Sequence, residues 1–192
     1  MRVDHVNIFG FDESVRGAKF PMSVDVTILD SKITTGINTL GLAETGLGHD
    51  NFLNGIIVQF DLTCTNKMWV EMERYHFINF VSSQSTMHRA ARMDFDKAFN
   101  PYVTEATKAE CERLKEAYLE NPCAESYLRL LYNLPSGMEL TARMTTNYRQ
   151  LKTIYRQRHD HRLPEWREFC RWLEALPHSE WITRKETSDV LQ

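Results

Sequence analysis

Residues 56 to 65 carry the pattern that most limits the fold: Ile56, Val58, Phe60, Leu62 and Cys64 alternate with Ile57, Gln59, Asp61, Thr63 and Thr65. A period of two sends these sets to opposite faces of a β-strand. The apolar face needs a covering layer of helices, while the more polar face meets solvent or a partner subunit. The pattern therefore predicts an α+β fold, an antiparallel-containing sheet packed with several helices. At 192 residues the chain fits one domain, expected over residues 1 to 183, with a frayed tail at 184 to 192.

A second period emerges downstream. Between residues 137 and 158, Leu140, Met144, Tyr148, Leu151 and Tyr155 share one face at about 100° per residue. This spacing predicts one long amphipathic helix, started by a capping box between Ser136 and Glu139, with Arg149, Lys152 and Arg156 on its outer face. Arg143, Asn147, Gln150 and Arg158 then line the margin of the stripe. A half-buried guanidinium there needs an anionic or carbonyl partner. Neighbouring acids supply it in an ordinary surface helix; a ligand supplies it in a binding site.

The remaining signals are local. A strand is expected over 24 to 29, and the aromatic-rich run at 68 to 80 fits helix or strand. Residues 81 to 86 read as a turn or helix start and 87 to 92 as a helical turn. A charged helix follows over 104 to 120, then one opened by Asn121 and Pro122 that runs through Tyr132, and a last one opened by Pro164. The hydroxyl-rich residues before 87 leave free backbone N–H groups at a helix start, which suits an anion. A plain N-cap with surface arginines has the same composition.

Charge and motifs narrow the function. With 23 Lys and Arg against 26 Asp and Glu the formal charge is −3, so no global basic field drives nucleic-acid binding. Any anion site is local. The four cysteines show neither CxxC spacing nor the density of a disulfide scaffold and read as reduced thiols of a soluble, cytoplasmic protein. No apolar run approaches the ~20 residues of a membrane span, and the first residues are too polar for a signal peptide. His159 and His161 lack metal-ligand spacing, and Ser82, Ser83 and Ser85 lack elbow glycines. With no glycine-rich nucleotide motif present, a nucleotide cofactor would have to be held another way.

The run Gln84-Ser85-Thr86-Met87-His88-Arg89, followed downstream by Asn147-Tyr148-Arg149-Gln150-Leu151 and by Arg158-His159-Asp160, resembles the flavin-dependent thymidylate synthases. That family carries a Gln, two residues and Arg-His-Arg, then Asn-Leu-Arg-Ser on a long helix ending in Arg-x-Asp. Leu134-Pro135 stands at the family's distance before that helix, and the resemblance covers residues 70 to 175. It implies that His88, Arg89, Asn147 and Arg149 bind FAD, and that Gln84, Ser85 and Thr86 meet a pyrimidine nucleotide such as dUMP. Arg158 would bind the pyrimidine and act catalytically, its permanent charge stabilising negative charge on the ring. NADPH and methylenetetrahydrofolate would be co-substrates, and a homotetramer would hold FAD between subunits. The missing nucleophile then has a reason, since the flavin does the hard chemistry.

The chain also departs from that pattern. Met87 replaces the first Arg of Arg-His-Arg, Arg92 replaces a Ser just beyond it, and Leu131 replaces an Arg. Lys97-Ala98-Phe99-Asn100 stands where the family has a phosphate-holding Ser-x-Arg-Tyr. Each lost charge-assisted hydrogen bond removes about 1.5–3 kcal/mol unless Arg92, Arg129 or Arg143 substitutes. The resemblance thus implies one-carbon transfer to a pyrimidine deoxynucleotide, or a flavin- or nucleotide-binding homologue without synthase activity. A nucleic-acid protein using the basic face at 149, 152 and 156 is disfavoured by the overall acidity.

Overall fold

The computed structural model describes residues 1–184, so the tail expected at 184 to 192 lies, Arg184 apart, outside the described residues. Its strands are β1 (Arg2–Phe9), β2 (Ile57–Thr65), β3 (Asn79–Ser83) and β4 (Glu139–Asn147). Its helices are α1 (Phe11–Gly17), α2 (Thr35–Leu42), α3 (Asn66–Met72), α4 (Thr86–Arg89), α5 (Phe95–Ala98), α6 (Glu105–Glu120), α7 (Ala124–Tyr132), α8 (Tyr148–Arg158), α9 (Pro164–Leu173) and α10 (Glu180–Thr183). The strands form one antiparallel sheet in the order β1-β2-β4-β3. This is the α+β layering that the alternation at 56 to 65 demands.

The single long helix expected over 137 to 158 is not formed. The segment is a strand as far as Asn147 and a helix from Tyr148. Leu140 and Met144, four apart, satisfy a helical and an extended period equally well. Ala142 and Thr146 complete the extended one, and the β-branched Thr141, Thr145 and Thr146 favour it. Pairing then decides: β4 runs in unbroken register with β2, from Ile57 opposite Asn147 to Thr65 opposite Glu139, and takes β3 on its other side. Ser136 makes no helix cap. Its carbonyl accepts from Lys67 N at 3.0 Å instead.

Other expectations shift for local reasons. Residues 24 to 29 hold a short 3-10 turn at Val26–Ile28 in place of a strand, because the Asp25 carboxylate accepts from Thr27 N at 2.9 Å. The run 68 to 80 divides between α3 and the start of β3, and 81 to 86 between β3 and the start of α4. α7 is capped by the Cys123 thiol, which accepts from Ser126 N at 3.4 Å, and not by Asn121. β1 and α2 arise in the N-terminal stretch, where the sequence shows little pattern.

Two apolar clusters hold these layers. Val58, Phe60, Leu62 and Met144 on one face of the sheet meet Met68 of α3, Leu151 of α8 and Trp166 and Phe169 of α9, all fully buried. Each such side chain contributes about 1.5–3 kcal/mol. Phe95, Phe99, Leu114, Leu130 and Met138 form a second cluster that ties α5, α6 and α7 together. The other face of the sheet is polar, with Thr63 and Thr141 hydroxyls 2.7 Å apart and Arg143 on Asp61 at 3.2 Å. Arg143 is therefore a strand residue paired across the sheet, not part of a helix margin. Among the described residues, no helix is long and apolar enough to cross a membrane.

Candidate functional site

Asn147 is the hinge between strand and helix. Its extended backbone ends β4, and its Oδ1 accepts from Gln150 N at 2.8 Å, capping α8. The side-chain amide nitrogen remains for another partner. The cap sets Arg149 in the first turn, where Nε donates to Asp50 Oδ1 at 3.2 Å. Asp50 is fully buried. Its second oxygen makes no hydrogen bond and lies 3.4 Å from the Lys152 ammonium. Lys152, only 2% exposed, also donates to Gly41 O at 2.8 Å and to Ala43 O at 2.5 Å, closing the C-terminal end of α2. Burial holds the Lys152 ammonium below the usual lysine range, with Asp50 opposing that shift. The expected basic outer face of this helix is therefore not a solvated stripe. Asn147, Arg149, Gln150 and Phe77 line a cavity of about 460 Å³.

At the other end of the β3–β4 ladder stands Gln84. Its backbone N donates to Thr141 O at 2.9 Å and its Oε1 accepts from Thr141 N at 3.1 Å, so its side-chain NH2 is left over. It shares a cavity of about 290 Å³ with Arg89, Arg92 and Lys97. Arg89 is half-buried and has no side-chain hydrogen bond or ion pair among the described residues. Such a guanidinium calls for an anion. His88 lies exposed on the same short helix. Ser85 precedes that helix without capping it through its side chain, and Thr86 lends only its carbonyl, which together with Met87 O accepts from Tyr127 OH at 3.3 and 2.8 Å.

Arg158 ends α8 inside an aromatic cage. Its Nε donates to Tyr75 OH at 2.7 Å, and its guanidinium carbon sits 5.0 Å from the centre of the Trp166 ring. Tyr75 OH in turn donates to Gln157 Oε1 at 2.9 Å. Glu71 anchors the group, with Nη1 of Arg158 at 3.8 Å, Trp166 Nε1 at 3.1 Å, Lys67 Nζ at 3.2 Å and His161 Nε2 at 3.6 Å from its oxygens. Burial raises the Glu71 carboxyl, but hydrogen bonds from Lys67 and Trp166 and the nearby positive charge outweigh it, leaving the group below its usual range. Glu71, Gln157, His161 and Arg162 face a cavity of about 700 Å³. Arg158 stands behind that wall and is 12% exposed.

One chain thus brings Gln84 together with Arg89, and Asn147 together with Arg149, but keeps Arg158 apart from both. From Thr141 to Asn147 the strand runs roughly 20 Å, and from Asn147 to Arg158 the helix runs roughly 16 Å. Asp50, Glu71, Tyr75 and Trp166, which orient the arginines, escaped the sequence reading. A carboxylate set between Trp69 and Tyr75 was the signal for two of them. Burial pushes up the thiols of Cys64 and Cys170, the latter to about 12, whereas the exposed Cys123 thiol, which caps α7, is held down by its hydrogen bonds with Ser126.

No protein-family model matches the sequence, and no curated protein matches it. Solved structures do. The flavin-dependent thymidylate synthase of Helicobacter pylori, crystallised with FAD and dUMP, superposes with a TM-score of 0.74 at 14% identity, over 95% of this chain and 97% of that one. A second crystal structure of the same enzyme with FAD and dUMP gives the same values. The chain has the fold of this enzyme.

Proposed function

We propose that this protein transfers a one-carbon unit to a pyrimidine deoxynucleotide, dUMP or an analogue, as a FAD-dependent enzyme of thymidylate synthase type. The observation that carries the reading is the half-buried Arg89 guanidinium without a protein partner, on a fold shared with enzymes crystallised with FAD and dUMP. The donor set fits a flavin dinucleotide. Arg89 and Arg149 offer cationic donors for phosphates, and the His88 ring and the spare amide of Asn147 offer further N–H donors. Asp50, by holding Arg149 Nε, aims the outer nitrogens of that guanidinium away from the core.

The remaining residues divide the work. Gln84 presents its amide, beside Ser85 and Thr86, to the pyrimidine. Arg158, fixed by Tyr75, Trp166 and Glu71, needs no proton transfer to stabilise negative charge on the ring and loses no energy to reorientation. Bound FAD, reduced by NADPH, would supply the redox chemistry, with methylenetetrahydrofolate as carbon donor. Because the three residue groups lie apart along one chain, we infer that neighbouring subunits of a cytoplasmic homotetramer complete each site.

The test is an absorbance spectrum after incubation with FAD and removal of unbound flavin, beside a mass measurement of the assembly. We expect a retained flavin band, a tetramer, and loss of the band in Arg89→Ala and Arg149→Ala. Arg158→Ala should keep flavin and lose dUMP. Wild-type protein emerging without flavin, or flavin content unchanged when both Arg89 and Arg149 are replaced, refutes the assignment.

A further inference from the structure

Away from the motif residues, α8 turns a second face to a small cavity. Lys152, Tyr155, Arg156 and His159 follow one another at three- and four-residue steps, so they share one side of the helix. With Thr45, Ile182 and Arg184 they line a space of about 230 Å³. Thr45 alone is common to this space and the cavity beside Asn147 and Arg149, which Gln150 and Thr153 face from another side of α8. Ile182 of α10, itself buried, gives the wall its apolar part. Among the described residues that line the cavity, Lys152, Arg156 and Arg184 are cationic and none is acidic.

Little of this charge is spent on the fold. Arg156 makes no side-chain hydrogen bond or ion pair among the described residues. Arg184 pairs through Nη1 with Glu44 at 3.2 Å, an exposed acid outside the lining, and keeps its other nitrogens. Neither guanidinium is needed to cap a helix. Tyr155 O accepts from His159 N at 3.0 Å and faces the ring Nδ1 at 3.1 Å, while Arg158 O accepts from His161 N at 3.1 Å. Lys152 is the exception, its ammonium held by Gly41 O, Ala43 O and Asp50. Burial, chiefly, keeps that ammonium below the usual lysine range; Asp50 opposes the shift, and the like charges of Arg184 and Arg149 add to it. A cleft walled by one sign of charge concentrates its potential, and here the unanswered charge is that of Arg156.

Two guanidinium forks and the Thr45 hydroxyl suit tetrahedral oxygens. The volume lies below the roughly 300–1,000 Å³ of ordinary small-molecule sites, which leaves out a nucleotide and admits a phosphate with a few carbon atoms. We propose that this cavity binds a small phosphate-type oxyanion between Arg156 and Arg184, at a site separate from the flavin and pyrimidine positions. Free orthophosphate and the head group of a small phosphate ester share this chemistry.

Calorimetric titration of the full chain at constant ionic strength tests this, with orthophosphate and glycerol 3-phosphate as probes and melting curves alongside. Wild type should bind orthophosphate and melt higher in its presence, by mass action on the folded state. Arg156→Gln and Arg184→Gln should each weaken that binding about tenfold, as loss of one charge-assisted hydrogen bond implies, and the double variant should abolish it. Both side chains are exposed, so without phosphate the variants should melt with wild type. Arg89→Gln should leave the binding intact, and Arg156→Gln should retain as much flavin as wild type. Tighter binding of glycerol 3-phosphate than of orthophosphate identifies an ester head group as the occupant; the reverse order identifies the free ion. No phosphate binding by wild type, equal affinity in wild type and the double variant, or loss of the same binding in Arg89→Gln overturns the site. Such a failure leaves the flavin reading standing, because flavin retention is tested through Arg89 and Arg149.

Discussion

Replacing Lys152 by Met isolates the buried charge cluster beneath Arg149. The two side chains have similar length and volume, so packing loss is small. What changes is electrostatic: Asp50, fully buried with one oxygen already lacking a hydrogen bond, loses the ammonium 3.4 Å away, and Gly41 O and Ala43 O lose their donor. Breaking a buried pair by removing one partner costs about 3–5 kcal/mol. Arg149 still reaches Asp50 Oδ1 at 3.2 Å, which places the loss near about 3 kcal/mol, or about 6–12 °C in Tm for a chain of this size. Urea and thermal unfolding of Lys152→Met, Asp50→Asn and the double variant measure it. The double variant should recover part of the loss, with a coupling of about 1 kcal/mol or more. A loss below about 1 kcal/mol in Lys152→Met, or strictly additive variants, would refute the reasoning. Flavin retention adds a second reading of the same variants. Asp50→Asn should release flavin more readily than Lys152→Met at equal folded fraction, because only Asp50 touches Arg149.

Two further changes probe the surroundings. Gly41→Ala puts a Cβ 2.6 Å from the Trp181 ring, and since Trp181 is fully buried and stacked on Phe11 at 5.6 Å it cannot swing away. Thermal melts should show an overpacking loss of about 1–3 kcal/mol, and an unchanged melt would refute the close α2–α10 contact. For Glu71, the folded carboxyl sits below the 4.5 of a free glutamate. Its contribution to stability is therefore complete above about 4.5 and is lost as pH falls through the lower folded value. Glu71→Gln should flatten that acid limb of a stability–pH curve, and an identical limb in both proteins would contradict the charge network around Arg158.

How far the sequence reveals this fold depends on which residues break a tie between periods. β2 is legible because its apolar positions are two apart throughout. β4 is not, because its two largest apolar residues, Leu140 and Met144, are four apart and merge with the helical stripe of Tyr148, Leu151 and Tyr155. The small Ala142, buried between them, is the only apolar residue that argues for a strand. The same merging hides Asn147, whose side chain caps α8 because the chain changes its geometry there. The motif residues sit at such changes: Gln84 just past β3, Arg89 at the end of α4, Asn147 between β4 and α8, Arg158 at the end of α8. At these points backbone and side-chain donors leave the hydrogen-bond ladders and become available to a ligand. The residues that aim them are remote in sequence and carry no local signal; Asp50 reaches Arg149 across ninety-nine positions and Trp166 reaches Glu71 across ninety-five. A short motif can therefore name the groups that touch a ligand while the fold alone supplies the acids and aromatic rings that hold them. The architecture likewise needs no charge at Met87 or Leu131, the positions at which the resembled pattern carries arginines. The sheet and its helices do not depend on those charges, and the Gln84 cavity has Arg92 and Lys97 on its wall.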